Sequence, residues 1–329
     1  MTRGRIFDPA GVAFGVVVPL VAAGLGLALT RFWQSRLPAQ IATHWSTDRP
    51  DEFSEPMSSA WLFALIIVLI GGGCCGVAAL AQALLLMRRA MLLIGLSVVG
   101  VLSTLQIVTL WIQLDKTDVS DVELPWAAIS VGVALGCVVG AVGSVFLKDY
   151  RIRPAAVERP DAKLPRGSAH TVRDVAGFGR VGTIVFAVVA FGAAGLACRA
   201  VGGIWPLVAA FPVVVVLLAL MRFEVIVDAS GLRVRNFGLT SIDIGIDEVT
   251  GAKVVHVNPF KDFGGWGLRS KGHRRYGIVT HTGPGVEVST AGGMTVTITT
   301  QSADAMAGAL NAFADDHRPP VRASHPSRG

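Results

Sequence analysis

Six stretches of this chain carry no Asp, Glu, Lys, Arg or His: residues 9–30, 58–87, 90–114, 124–147, 181–198 and 202–221. A helix needs about 20 apolar residues to cross the hydrocarbon core of a bilayer, with a range of about 17–25, and all six reach it. A buried helix of a soluble protein is usually shorter and keeps a polar face. Composition agrees: of 329 residues 52% are hydrophobic and 16% charged, with mean hydropathy +0.58, against about 25% charged in a soluble domain. The pattern predicts six membrane-spanning helices, the second long enough to tilt or overhang. The first reads as an uncleaved span. Arg3 and Arg5 precede it, but it exceeds the roughly 7–15 apolar residues of a signal peptide and no small-x-small cleavage site follows.

Orientation follows from the basic residues, which favour cytoplasmic segments. With the N-terminus inside, Arg3, Arg5, Arg88, Arg89, Lys148, Arg151, Arg153, Arg159, Lys163, Arg166, Arg173 and Arg180 fall inside. Only Arg31, Arg36, Arg49, Lys116 and Arg199 fall outside. Six tryptophans (Trp33, Trp45, Trp61, Trp111, Trp126 and Trp205) lie in or beside the outer segments, and Trp266 alone does not. Indoles favour the headgroup level, so they mark one interface. Both termini are expected to be cytoplasmic, in a plasma membrane.

The expected organisation is a four-span domain over 1–150 with an external loop, a cytoplasmic linker over 151–180, and a two-span helical hairpin over 181–221. The linker carries Pro154, Pro160 and Pro165. In the hairpin Pro206 can start the second helix and Pro212 should kink it. From 222 the period changes. "RFEVIVDASGLRVRNFG" alternates around a Gly-containing turn, and further alternating runs follow, which is the signal of strands and hairpins. "SADAMAGALNAFADD" returns to helical spacing. A β-rich domain of roughly seven strands closed by one helix is expected over 222–316, with a disordered tail over 317–329.

The external loop, "LPAQIATHWSTDRPDEFS", resembles the signature of a bacterial membrane family, the domain of unknown function 1648. Leu37, Pro38, Ile41, His44, Trp45, Pro50 and Asp51 match its Leu-Pro, His-Trp and Pro-Asp elements. Ser46 stands where that pattern has Asn, and its Gly is missing from 47–49. The same domain occurs in immunity proteins against a sporulation-delaying toxin of bacilli, which resemble this chain in the multi-span half only. The strand-rich end is similar to bacterial pleckstrin-homology-like domains, on "VDASGLRVR", "NPFKDFGGWGLR" and the closing helix. That resemblance implies seven strands and a C-terminal helix. Neither family implies a reaction.

Residues for chemistry are sparse. Pumps and intramembrane proteases need ionisable side chains inside the membrane, and the charge-free runs offer only Gln82, Gln106 and Gln113, which can bond between helices. Cys74, Cys75, Cys137 and Cys198 all lie in spans without metal-knuckle spacing and read as packing residues. Gly132, Gly136, Gly140 and Ser144 recur every four residues, a spacing that lets two backbones approach. It serves packing inside one bundle or, as the alternative, a homodimer. His44, Asp48 and Asp51 offer an imidazole and two carboxylates to a metal ion; a structural His-Trp pair is the preferred reading, and no metal or cofactor is expected.

The segment 260–277 gathers Lys261, Arg269, Lys271, Arg274 and Arg275 against the single acid Asp262, with glycines 264, 265, 267 and 272 between them. A mobile loop whose N–H groups turn inward would hold an anion. Anionic lipid headgroups or a protein partner at the β-domain are the expected contacts, with a solvated loop as the alternative. Nucleic acid is not expected, since residues 222–329 carry twelve Lys or Arg against ten Asp or Glu. The chain therefore reads as a non-enzymatic membrane protein in sensing, scaffolding or toxin immunity, with a small-molecule or lipid transporter, or an accessory subunit of a membrane enzyme, as alternatives.

Overall fold

The computed structural model describes residues 5–46, 49–123, 126–177, 180–220, 222–236 and 238–318. They form two compact units. One comprises Met1–Arg151 and Thr183–Leu217, the other Ile152–Gly182 and Leu218–Gly329. The expected boundaries are corrected accordingly: the four-span segment and the later helical hairpin are one unit, and 152–182 belongs to the second.

The helical unit contains α1 (Pro9–Arg36), α2 (Pro56–Ala79), α3 (Leu85–Trp111) and α4 (Trp126–Phe146), followed by α5 (Arg180–Val201) and α6 (Trp205–Leu220). Among the described residues five helices are long and apolar enough to cross a membrane; α6 is shorter and contains Pro212. Pro9 and Pro56 occupy first turns, where a missing N–H costs nothing. The Asp8 side chain caps α1 by accepting from the Ala10 N–H at 3.0 Å.

The charge-free run 58–87 is not one long span. Its helix stops at Ala79 and restarts at Leu85, so the connection is uncharged, and Arg88 and Arg89 lie in the first turns of α3 rather than in a loop. The reason is an ion pair between Arg88 and Asp8, whose side chains are 0% and 2% exposed. Arg88 also donates to the Ala78 carbonyl at 2.9 Å and the Lys148 carbonyl at 2.8 Å. Asp8 accepts from the Lys148 N–H at 3.3 Å. The start of α1, the end of α2, the start of α3 and the chain just after α4 are thus tied at one point.

Gly132, Gly136 and Gly140 place the backbones of α3 and α4 in contact. An added Cβ would lie 2.6 Å from the Val101 Cα, 2.3 Å from the Leu96 carbonyl oxygen and 2.9 Å from the Leu93 Cα, respectively. Ser144 donates to the Gly140 carbonyl at 2.7 Å, and its own carbonyl accepts from Arg89 at 3.0 Å. The ridge is buried within one chain, which leaves it no face for a homodimer.

The second unit holds two sheets. The first is a meander of β3 (Val172–Gly177), β4 (Arg222–Asp228), β5 (Gly231–Asn236) and β6 (Leu239–Gly245). The second orders β7 (Val249–Val257), β10 (Gly283–Thr290), β11 (Thr295–Thr299), β9 (Arg275–Val279) and β8 (Gly267–Ser270), with β9 and β11 parallel. A helical turn, α7 (Pro259–Phe263), precedes β8, and α8 (Ala303–His317) closes the unit with Met306, Ala307 and Leu310 fully buried. Asn311 of α8 pairs with both the N–H and the carbonyl of Ala252, at 2.8 and 2.7 Å.

Among the described residues eight strands lie where seven were expected, and β3 from 172–177 adds a ninth. β3 comes from the segment read as a linker: Val172 and Ala176 are buried and the strand pairs with β4 from Val172↔Val227 to Gly177↔Arg222. The rest of that segment is built into the unit by ion pairs of Arg153 with Asp243 and Glu248, and of Arg166 with Asp315. The tail boundary also moves. His317 ends α8, and Arg318, 7% exposed, donates to the carbonyls of Glu158, Ile246 and Val249; residues 319–329 lie outside the described residues.

Arg88→Ala is expected to cost about 3–5 kcal/mol, because Asp8 is left buried without its cation. Asp8→Leu combined with Arg88→Met should recover most of that loss. Reversible unfolding in detergent of the parent, Asp8→Leu, Arg88→Met and the double variant completes the cycle, and additive effects would show that the two charges are not coupled.

Candidate functional site

The loop after α1 is a β-hairpin. The chain leaves α1 by a 3-10 turn, Gln34–Arg36, and Leu37 turns extended at ψ 147°, as a residue before proline must; Pro38 ends the helix. β1 (Ile41–Trp45) then pairs antiparallel with β2 (Pro50–Ser54), with Ala42 opposite Phe53. Ile41 and Ala42 are 1% and 0% exposed, so the start of β1 is buried on both faces of the short ribbon.

Gln113 fixes this ribbon. Its Oε1 accepts from the Ala42 N–H at 2.7 Å, and its Nε2 donates to the Ala42 carbonyl at 3.2 Å and the Thr109 carbonyl at 3.0 Å. The side chain acts as one residue of a third strand; without it a buried N–H and C=O would stand unsatisfied, each at about 1–3 kcal/mol. Trp45 donates its indole N–H to the Val122 carbonyl at 2.6 Å. Arg36 donates to Asp115 at 3.1 Å, and Arg49 lies 3.6 Å from Asp121. The hairpin is therefore anchored on both sides to the segment between α3 and α4.

The three glutamines, read as able to bond between helices, meet different partners. Gln113 holds the hairpin and Gln82 bonds the carbonyls of Arg5 and Tyr150. Gln106, 3% exposed, has neither amide atom partnered, and the Ser103 hydroxyl beside it on α3 has no partner either.

The solvent side of the hairpin carries His44, Asp51, Glu52 and Phe53, all exposed. His44 Nδ1 lies 2.7 Å from Asp51 Oδ1, and the Ser46 hydroxyl donates to the other carboxylate oxygen. Serine and histidine both bond the carboxylate and not each other, so the trio lacks the serine–histidine–carboxylate order of a nucleophile relay. The hydrogen bond and charge of Asp51 raise the His44 pKa above its ordinary value. The bonds from Ser46 and His44 hold Asp51 below the usual carboxylate value. Among the described residues no group of three or more His, Cys, Asp or Glu gathers as a metal site; Asp48, the third ligand considered, lies outside them.

The basic segment of the second unit is not the mobile loop expected. Asn258 caps α7 by accepting from the N–H groups of Phe260 and Lys261, each at 3.2 Å. Gly264 closes the turn in the left-handed region at φ 73°, and the N–H groups of Gly264 and Gly265 bond the Phe260 and Pro259 carbonyls. Those two amides serve the turn, so they do not form an anion nest. β8 then pairs with β9, Arg269 opposite Gly277. Lys271 and Arg275 close the connecting turn through their backbones, and Arg274 donates to the Gly292 carbonyl at 2.8 Å. The side chains of Lys261, Arg269, Lys271, Arg274 and Arg275 all remain exposed.

Comparison with protein-family models, with curated proteins and with solved structures finds no match to this chain.

The His44–Asp51 pair has a defined pH window. The raised imidazole contributes in full below its unfolded value near 6.5 and loses that contribution as pH rises through its higher folded value. The depressed carboxyl contributes above its unfolded value near 3.8 and loses it as pH falls through its lower folded value. In an NMR titration the His44 ring should show a midpoint above 6.5, and Asp51→Asn should bring it back toward that value. A midpoint indifferent to the substitution would show that Asp51 does not hold the ring.

Proposed function

We propose that this chain is a non-enzymatic protein of the bacterial plasma membrane that crosses the bilayer six times and serves as a sensing, scaffolding or toxin-immunity protein. In this reading the β1–β2 hairpin is its outward recognition element and the β-unit its cytoplasmic one. The observation that carries it is the hairpin itself. Gln113 and Trp45 pin the ribbon to the helical unit, so His44, Asp51, Glu52 and Phe53 form a preorganised solvent-facing surface, and preorganisation lowers the entropic cost of binding.

Support for six crossings comes from the first sheet of the β-unit. β3 precedes α5, β4 follows α6, and the two strands pair directly. Both must lie on one side of the membrane, so the chain between them crosses an even number of times. α5 is long enough to cross, and α6 must then return. Its 16 residues reach about 24 Å at 1.5 Å each, and local thinning or flanking residues accommodate the shortfall. Trp61, Trp111 and Trp126, at 62%, 64% and 48% exposure, lie near the N-terminus of α2, at the C-terminus of α3 and at the N-terminus of α4, the alternation that one headgroup belt across successive crossings requires. The basic asymmetry of the sequence assigns that belt to the outside.

The resemblances fit this reading as proposals. The Leu37-Pro38, His44-Trp45 and Pro50-Asp51 elements build one hairpin, and the β-unit has two sheets and a closing helix, with two strands more than the pleckstrin-homology-like pattern. A second reading, a small-molecule carrier, is favoured by one observation. Gln106 and Ser103 are polar atoms without partners in the helical unit, and buried polar atoms are normally satisfied by water or ligand.

Single cysteines at Ser46, Ser168 and Ser302 test the topology. On intact cells an impermeant thiol reagent should label only the first above background, with the other two labelled after lysis. Opposite accessibility of Ser168→Cys and Ser302→Cys would mean an odd number of crossings between them. Photo-crosslinking from Glu52 in native membranes tests the recognition role. A discrete protein adduct is expected that a probe at the buried Ala42 does not give, and identical patterns from both positions would count against the hairpin.

A further inference from the structure

Phe260 and Trp266 are 60% and 56% exposed, yet they are ordered against each other, edge to face, with centroids 4.8 Å apart and planes at 74°. The backbone beneath them is rigid: Asn258 caps the start of α7 and the Gly264 and Gly265 amides close its end. Two large rings are thus held out from the surface by a turn built to present them.

Cations follow the pair along the chain. Lys261 lies on the same turn, and Arg269, Lys271 and Arg275 follow on β8 and β9, all exposed. Arg269 folds back over Gly265, where an added Cβ would meet its Nη2 at 2.7 Å, which joins the aromatic turn to the strand hairpin. Among the described residues no carboxylate forms an ion pair with these four. The one acid of the segment, Asp262, is occupied by the Asn258 N–H at 2.8 Å.

Exposed indole and phenyl rings on one face with exposed cations are the chemistry of a bilayer interface. Aromatic rings settle at headgroup level, and each Lys or Arg near an anionic leaflet gains about 1 kcal/mol. An acidic protein would match the cations, but the covalent context favours lipid. One residue separates the end of α6 from β4, and two separate β3 from α5. The β-unit is therefore tethered to apolar helices by short connections, which keeps lipid at high effective concentration.

We propose that the α7–β8–β9 face is a membrane-docking surface for anionic phospholipid, with Phe260 and Trp266 entering the headgroup layer while Lys261, Arg269, Lys271 and Arg275 pair with lipid phosphates. This rests on membrane insertion of the helical unit alone, and on neither the partner role of the β1–β2 hairpin nor the orientation of the chain.

The test is hydrogen–deuterium exchange of the full chain in nanodiscs, one set of phosphatidylcholine and one containing phosphatidylglycerol. Amides of 260–275 should exchange at least about fivefold more slowly in the anionic discs, and the difference should shrink in 1 M salt, where the Debye length falls to about 3 Å. Phe260→Ser with Trp266→Ser, and separately Lys261→Ser with Lys271→Ser, should each abolish the difference while exchange in β7, β10 and β11 stays that of the parent. The lysine variant keeps the test informative where the aromatic one perturbs the turn. Equal exchange in both discs, or a difference that survives both variants, overturns the proposal. A hairpin that gives no crosslink leaves this outcome untouched.

Discussion

The helical unit depends on the ion pair between Asp8 and Arg88. Burying a carboxylate and a guanidinium costs several kcal/mol per ion, and their attraction offsets this only where the remaining donors and acceptors are also satisfied. Here they are. The guanidinium reaches Asp8, the Ala78 carbonyl and the Lys148 carbonyl. The carboxylate takes the N–H groups of Ala10 and Lys148 as well. Together these bonds reach four helix ends, so the pair sets where α1 and α3 begin and brings in the ends of α2 and α4.

With that end fixed, backbone proximity does the rest of the packing. Inside a bilayer no hydrophobic effect draws helices together, and close van der Waals approach replaces it. The α3–α4 contact is the clearest instance: Gly132, Gly136 and Gly140 leave no room for a Cβ against α3. At the far end the polar side chain of Gln113 extends the order into the β1–β2 hairpin. A motif of prolines, His and Trp beside an apolar run thus becomes a short sheet whose position follows from one amide.

The β-unit shows the same economy in its turns. Asn258 and Gly264 convert a glycine-rich, basic stretch into a capped turn and a strand pair, so cations that could have waved in solvent are carried on a sheet edge. The pairing of β3 with β4 has a consequence beyond the sheet. Two strands joined edge to edge must share one side of any bilayer, so the register Gly177↔Arg222 constrains α5 and α6 together.

Sequence alone determined the features that depend on neighbours along the chain. Charge-free runs long enough for a bilayer marked the helices, alternation after 222 marked the β4–β5 hairpin and most of the later strands, and helical spacing marked α8. Where local texture misled, the cause was a partner far away. Arg88 looked like a loop charge because Asp8 stands 80 residues earlier. Gln113 looked like an interhelical bond because Ala42 lies 71 residues away. β3 looked like linker because its strand partner follows two intervening helices. Phe260 and Trp266 gave no periodic signal, since their pairing depends on a turn closed by Gly264. Period and composition report which surface a segment must bury; only the tertiary structure decides which buried charge, amide or strand edge meets which, because that choice is made by satisfying polar groups across the fold.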